Sequence, residues 1–124
     1  MAHLTLVRPS HVCSKDTWAI GIVPPLGLAY VAAALETAGH GVTVIDGVGE
    51  DPLNTGPTGR PQLVYHGLSI ESIVDRIDPS TDAVGVSVMF SQQWPHAEEL
   101  LRAIRARLPQ VPIIVGGEHV TAVW

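Results

Sequence analysis

The sequence predicts an α/β fold, namely a doubly wound parallel sheet with helices on both of its faces. The first observation is the order of the elements, because short strand-like runs alternate with stretches of helical periodicity as β-α-β-α-β-α-β. The second is that the last two strand-like runs are almost wholly apolar, which is typical of buried parallel strands. We expect one incomplete domain over residues 1–124, truncated after its fourth strand, because doubly wound domains usually continue further.

The first half of the chain predicts two strands separated by a helix. Residues 3–7 form the first strand-like run, and residues 41–46 form the second. Between them, residues 26–38 have strong helical periodicity. Pro24-Pro25 suits the first turn of this helix, and Gly39 suits its end.

The second half predicts two further helix–strand units. Ser69 is a suitable N-cap for a helix over residues 70–77, whose apolar side chains recur on one face. Residues 83–88 follow as a strand that the pattern predicts to be buried on both faces. Residues 95–108 form a clear amphipathic helix, and residues 111–115 form the fourth strand.

Two connections are unusually long for a compact domain. They cover residues 9–24 and 47–67, and no strand is predicted in either. The second contains several proline and glycine residues, which predict a mobile loop. Long loops in compact domains often carry function, so both are of interest for a ligand site.

Composition argues against several classes of function. The chain has a formal net charge of −5 and no basic patch, so no nucleic acid partner is expected. Cys13 is the single cysteine, which excludes an intrachain disulfide, a thiolate zinc site and a self-contained iron–sulfur cluster. A reducing cytoplasm is the expected compartment. No signal peptide is visible and the longest apolar stretch is too short to span a membrane, so no membrane partner is expected.

A ligand site is expected at the carboxyl ends of the strands, where open parallel sheets bind their ligands. Three segments meet at that edge, namely the loop after the first strand, residues 87–93 and residues 116–121. The Gly116-Gly117 pair either lets a ligand approach the backbone closely or simply forms a tight turn. Ser87 either hydrogen-bonds a ligand or is an ordinary serine at a strand end.

Other polar and aromatic residues have structural explanations. Asp46 stands where dinucleotide folds place a ribose-binding acid, but no Gly-rich turn follows the first strand, so a strand-end cap is favoured. His119 fits a surface position near a helix start, and Glu118 fits a first-turn charge. No spacing of ligand residues predicts a metal site. The remaining dispersed histidines are predicted to be solvated: His3, His40, His66 and His96. The tryptophans are predicted to pack or to lie at an interface: Trp18, Trp94 and Trp124.

Two longer motifs resemble a known family. The first is Pro24-Pro25-Leu26-Gly27-Leu28 with the helix after it, the Gly39-His40 pair and the strand over residues 42–46. The second combines the strand-like segment over residues 84–89 with the later segment over residues 113–121, which ends in Gly-Gly-x-His-x-Thr. Over nearly the whole chain, they resemble the N-terminal cobalamin (B12)-binding domains of cobalamin-dependent radical S-adenosylmethionine enzymes.

The resemblance implies a Rossmann-like, flavodoxin-type doubly wound sheet. It also implies that cobalamin is the cofactor, with its corrin ring over the strand ends and its nucleotide tail beside the sheet. Ser87 would meet the tail, the paired glycines would line its channel, and residues 24–28 would flank the entrance. The residues for which the resemblance implies cofactor binding are Pro25, Leu26, Gly27, Ser87, Val88, Met89, Gly116, Gly117, Glu118 and His119.

The sequence departs from related domains in two motifs. The loop after the first strand has no Asp-x-His-x-x-Gly motif, so His11 is not expected to ligate cobalt and cobalamin would be bound without a protein histidine. No Cys-x-x-x-Cys-x-x-Cys motif is present, so S-adenosylmethionine and a 4Fe-4S cluster would belong to an absent following domain or a partner subunit. The implied function is the cofactor-binding module of a radical methyltransferase. The alternatives are a nucleotide- or flavin-binding module of the same fold and a non-binding interaction domain.

Overall fold

The computed structural model describes residues 1–123, so the prediction made for Trp124 lies outside the described residues. The elements in chain order are β1 (His3–Arg8), β2 (His11–Ser14), α1 (Leu26–Thr37), β3 (Gly41–Asp46), β4 (Thr55–Pro57), β5 (Leu63–His66), α2 (Ile70–Arg76), β6 (Ala83–Ser87), a 3-10 turn (Ser91–Gln93), α3 (Trp94–Arg107), β7 (Ile113–Gly116) and α4 (Glu118–Val123). None of the helices within residues 1–123 has the length and apolar character needed to cross a bilayer.

The predicted fold class is confirmed. The main sheet has the order β3-β1-β6-β7, and every neighbouring pair of its strands is parallel. Strand β3 lies on one side of β1, and the later strands β6 and β7 lie on the other side. This arrangement is a doubly wound topology.

Two predicted helix boundaries are formed by the expected residues. At the end of α1, Gly39 has a φ of +90°, and the backbone N–H groups of Gly39 and His40 donate to the carbonyls of Glu36 and Leu35. This is the bonding pattern of a Schellman motif, in which glycine avoids the strain of a left-handed conformation. At the start of α2, the Ser69 hydroxyl accepts the backbone N–H of Ser72 at 3.1 Å, as an N-cap does.

The hydrophobic core lies between the sheet and the helices α2 and α3. Alternate strand residues point into it, and the facing side chains of the two helices are fully buried. Members that are at most 2% exposed include Val7, Ile45, Val84, Val86, Ile73, Leu100 and Ile104. Each such side chain contributes about 1.5–3 kcal/mol of burial free energy, so this face holds the domain together. Trp94 packs against this core, as predicted. Trp18 is 98% exposed, so the prediction that it packs within the chain is wrong. Its place at an interface remains a prediction.

The opposite face of the sheet is only half covered. Helix α1 contacts β1 and β3, while β6 and β7 are left open on this side. Ile114 is 60% exposed, and Ser87 is only half-buried. The prediction that residues 83–88 are buried on both faces is therefore wrong for this face. The apolar side chains of Val84 and Val86 are buried on the side of the sheet that faces α3. The residues that alternate with them are small and present little apolar surface on the open side.

The two long connections are not simple loops, and this is the main correction to the predicted fold. They form a second sheet of three antiparallel strands in the order β2-β5-β4. Strand β5 reads Leu-Val-Tyr-His, which has high β-propensity but is too short and too closely flanked by prolines and glycines to stand out. Its partner β2 lies about fifty residues earlier in the chain, a pairing that local pattern does not reveal.

One predicted solvated histidine is in the interior. His96 is 3% exposed, its ring stacks on Tyr65 of β5 at a centroid distance of 5.5 Å, and neither ring nitrogen has a hydrogen-bond partner. The prediction fails because β5, which was not predicted, covers the first turn of α3. Burial lowers the pKa of His96, Arg60 lowers it further, and Glu99 and Glu71 act in the opposite direction.

The buried His96 should make the stability of the domain depend on pH. Because its pKa is lower in the folded chain, the unfolded chain takes up the proton first as the pH falls below the ordinary value of 6.5. Stability is therefore highest above pH 6.5 and should fall below it. His96→Phe keeps an aromatic ring on Tyr65 and should flatten the pH dependence of the urea midpoint between pH 7.5 and 5. His40→Gln is the matched control, and a wild-type slope in the His96→Phe variant would contradict the assignment.

Candidate functional site

A small pocket lies at the carboxyl edge of the main sheet, where the strand order reverses between β1 and β6. It has a volume of about 130 Å³. Its walls come from the segment after β1 and the segment after β6, as predicted for this edge. The lining residues are Arg8, Pro9, Ser10, His11, Val48, Ser87, Val88, Met89, Phe90 and Gln93.

An ion pair fixes the β3 side of this pocket. The Arg8 Nε and Nη2 donate to the two carboxylate oxygens of Asp46 at 2.7 and 2.9 Å, and Nη1 donates to the Val23 carbonyl at 2.6 Å. Asp46 also accepts the backbone N–H groups of Val48 and Gly49. Both carboxylate oxygens are thus engaged within the chain, which agrees with a strand-end cap rather than a ribose-binding acid. The same arginine ties the segment before α1 to the edge of the sheet.

His11 is the titratable side chain at the rim of the pocket. It lies on β2 directly opposite His66 of β5, and it lines the pocket together with Arg8. Burial lowers the pKa of His11, and the nearby charges of His66 and Arg8 lower it further, so the neutral ring is favoured near pH 7. Within residues 1–123, no three His, Cys, Asp or Glu side chains lie close enough together to hold a metal ion.

A second, larger cavity opens beside the first as a groove between α1 and the uncovered half of the sheet. It has a volume of about 420 Å³, within the range of small-molecule sites. Ser87 and Met89 belong to both cavities. The groove is lined by Leu4, Leu6, Gly27, Leu28, Val31, Leu35, Gly85, Val86, Ser87, Met89, Ile114, Gly116 and Gly117.

Glycines keep this groove open. A Cβ atom at Gly116 or at Gly27 would meet no atom within 4 Å, so any side chain there would project into free space. Gly85 is different, since a Cβ there would lie 2.8 Å from the Leu6 Cδ2 atom. At Gly27 and Gly116 the groove is therefore lined by backbone without a side chain, which lets a flat apolar group approach closely there.

Gly117 has a separate, structural reason to be glycine. Its φ is +107°, and a Cβ atom there would overlap the backbone of Val88, including the carbonyl oxygen. The turn after β7 packs against the end of β6, because the Val88 N–H donates to the Gly116 carbonyl at 2.8 Å. The two adjacent glycines thus serve different purposes.

Comparison with known proteins shows the family to which this domain belongs. The family model described as "B12 binding domain" matches residues 19–124. The chain belongs to the B12-binding domain family. Cobalamin is therefore the cofactor of this domain.

One curated relative extends the comparison. The B12-binding domain is 36% identical over 97 residues to cytidylyl-2-hydroxyethylphosphonate methyltransferase from Streptomyces wedmorensis. The match covers 77% of this chain but only 18% of the relative, so the chain spans less than a fifth of that enzyme.

The structure brings together about half of the residues that the sequence singled out for cofactor binding. Gly27, Ser87, Met89, Gly116 and Gly117 line the groove. The remaining ones lie around it: Val88, which lines only the smaller pocket, Pro25 and Leu26, at the start of α1, and Glu118 and His119, on α4. Direct contact of these ten residues with cobalamin remains a prediction.

The His119 side chain is held by contacts with neighbouring side chains. Its Nδ1 lies 2.9 Å from the Ser91 hydroxyl, and its ring packs on Trp94 at a centroid distance of 5.0 Å. Glu118 is exposed at the first turn of α4, in agreement with a first-turn charge.

Sequence reasoning missed most of the apolar walls of the B12-binding domain. The groove residues of β1, and those of α1 beyond residue 28, were not predicted to contact a ligand, although α1 carries apolar residues on several faces. That feature was a usable signal, because a helix that is apolar all round needs cover on more than one side. Leu26 is 64% exposed and Tyr30 is 70% exposed, so part of this surface stays uncovered in the domain.

Proposed function

We propose that this B12-binding domain is the cofactor module of a cobalamin-dependent radical S-adenosylmethionine methyltransferase and performs no catalysis of its own. The observation that carries the proposal is the 36% identity to a protein named as a methyltransferase, of which the chain spans 18%. The single cysteine supports the view that a 4Fe-4S cluster and S-adenosylmethionine are held elsewhere, by a C-terminal radical domain or a partner subunit. It also favours a reducing cytoplasm.

The nucleotide tail of cobalamin fits the groove better than it fits the smaller pocket. The tail ends in a flat aromatic base, and the groove offers apolar walls and bare glycine backbone over about 420 Å³. The smaller pocket is polar at its rim and opens at the strand ends, which suits the amide-bearing edge of the corrin ring. In this arrangement Ser87, which lines both cavities, lies where tail and ring are joined.

The exposed side of the groove suggests that a further segment covers it. Ile114 is 60% exposed on the open face, and β7 stands at the end of the main sheet. Apolar residues of α1 flank the same opening, with Val31 49% exposed. We propose that another segment of the parent protein, or a partner subunit, packs here and closes the groove over the tail.

The purified chain should retain cobalamin and no rival cofactor. Hydroxocobalamin, FMN and ATP are each mixed with the protein, passed through a desalting column and measured by absorbance in the protein fraction. We expect corrin absorbance near one equivalent and no retained flavin or nucleotide. Retention of FMN or ATP instead would support the rival module, and retention of none of the three would contradict a cofactor module formed by this chain.

We further propose that no histidine of this chain ligates the cobalt. The segment after β1 lacks the Asp-x-His-x-x-Gly spacing, and the His119 ring is engaged by Ser91 and Trp94. His11 lines the pocket and is the side chain that most needs testing. Electron paramagnetic resonance of the cobalt(II) complex should give the same spectrum from protein with natural-abundance and ¹⁵N-labelled histidine. A nitrogen splitting that changes on labelling and disappears in His11→Ala would overturn this part of the proposal.

A further inference from the structure

The side chain of Gln93 acts as the edge partner of strand β2. Its Oε1 accepts the backbone N–H of Val12 at 2.7 Å, and its Nε2 donates to the carbonyl of the same residue at 2.9 Å. Both residues are buried, Gln93 at 8% and Val12 at 4% exposure. Strand β2 stands at the end of the small sheet, with β5 on its other side.

A primary amide can do this because it presents one donor and one acceptor, as a neighbouring strand does. In an antiparallel pair, the N–H and carbonyl of one residue point to the same side. Those of Val12 point away from β5 towards Gln93. Leaving two buried backbone groups unpaired would cost roughly 1–3 kcal/mol each, so the contact fixes the position of β2.

This contact joins the two walls of the pocket at the strand ends. Gln93 follows β6 and lines the pocket with Ser87, whereas His11, next to Val12, lines it from the other side. Without the contact, β2 would be tied to the main sheet at this edge mainly through its covalent link to β1 and the hydrogen bonds of Ser10. The Ser10 hydroxyl donates to the carbonyls of Leu68 and Gly47, which anchor the start of β2 but not its outer edge.

We propose that Gln93 is a positioning residue that sets the separation of the two walls and thereby the affinity for the corrin cofactor. The inference rests on the proposed function in one respect, the placement of cobalamin at this edge. Loss of one of the paired contacts should weaken cobalamin binding roughly tenfold, which corresponds to about 1.4 kcal/mol.

The sharpest variant is Gln93→Glu, which has nearly the same shape. An ionised glutamate still accepts the Val12 N–H, but its second oxygen faces the Val12 carbonyl and repels it. A protonated glutamate regains a donor and restores the pair. Gln92→Glu is the matched control, because Gln92 is the exposed neighbour in the same turn. We expect Gln93→Glu to bind hydroxocobalamin roughly tenfold more weakly than the control at pH 8. The ratio should approach one near pH 5, because burial beside the Val12 carbonyl raises the pKa of the new carboxyl and lets it regain its proton.

Hydrogen exchange of the Val12 amide separates this inference from the proposed function. We expect the Val12 amide to exchange faster in ligand-free Gln93→Met, which lacks the acceptor of that N–H, than in Gln92→Met at pH 8. Unchanged exchange at Val12 would overturn the contact itself. Faster exchange with equal cobalamin affinity in the two variants would overturn the positioning role. A wild-type chain that binds no cobalamin would instead overturn the proposed function, and the exchange rates would still decide whether Gln93 holds β2.

Discussion

Replacing Gly116 by phenylalanine is expected to abolish cobalamin retention while leaving the fold intact. Gly116 has no positive φ, and a Cβ there meets no atom within 4 Å, so neither the backbone conformation nor the Cβ atom opposes a side chain at this position. It would, however, occupy the groove in which we place the nucleotide tail. We expect the dissociation constant for hydroxocobalamin to rise roughly 100-fold, about 2.7 kcal/mol, as measured by absorbance titration.

The same position offers its own control. Gly116→Ala adds one methyl group to an open groove and should change cobalamin affinity by less than about threefold. Circular dichroism and the urea midpoint should be close to wild type in both variants. Full retention by Gly116→Phe would show that the tail does not lie in this groove.

Replacing the neighbouring Gly117 by alanine should instead reduce the stability of the fold by a large amount. Its φ of +107° is a conformation that L side chains rarely adopt, and the added Cβ would overlap the Val88 backbone. The strain costs roughly 1–3 kcal/mol. Relief of the overlap would displace the turn after β7 at a cost of about 1–3 kcal/mol more. Urea unfolding measures the total.

Gly39→Ala separates strain from overlap. Gly39 also has a positive φ, +90°, but a Cβ there meets nothing within 4 Å. It should lose only about 1–2 kcal/mol, the cost of the left-handed conformation. Equal losses at the two glycines would mean that the contact of Gly117 with Val88 is unimportant. A substitution at Gly117 is therefore a poor probe of cofactor binding, since reduced binding would follow from reduced folding.

The parallel sheet could be predicted because its signals are local. The strand β6 is a continuous apolar run, α3 shows helical period, and Ser69 and Gly39 mark helix ends by chemistry that acts over three or four residues. Assembling these elements into a parallel sheet then required only their alternation and the preference for right-handed crossovers.

The small sheet could not be predicted because its signals are distant. Strand β2 is four residues long and β4 is three, and each gains its conformation from pairing with β5. The burial of His96 follows from that pairing and was missed for the same reason. An apolar environment for a histidine depends on what covers it, which the residues near it in sequence do not specify.

The features of the candidate site that depend on local sequence could also be predicted, and those that depend on distant contacts could not. The strand-end position of Ser87 and of the paired glycines was predictable from topology, and these residues do line the groove. That Gly116 faces open space while Gly117 is required by the turn is a matter of backbone conformation, and nothing in the dipeptide distinguishes them. The role of Gln93 was equally hidden, since its partner Val12 lies 81 residues away.

The most direct test of the account compares cobalamin with cobinamide, which has the corrin ring but lacks the nucleotide tail. Both corrinoids are titrated into the wild-type chain and into Gly116→Phe. If the tail lies between α1 and the open half of the sheet, the wild type binds cobalamin roughly 100-fold more tightly than cobinamide, about 2.7 kcal/mol. The variant then loses this preference and binds both corrinoids with the wild-type affinity for cobinamide. Equal binding of the two corrinoids by the wild type, or an equal loss of both in the variant, would contradict it.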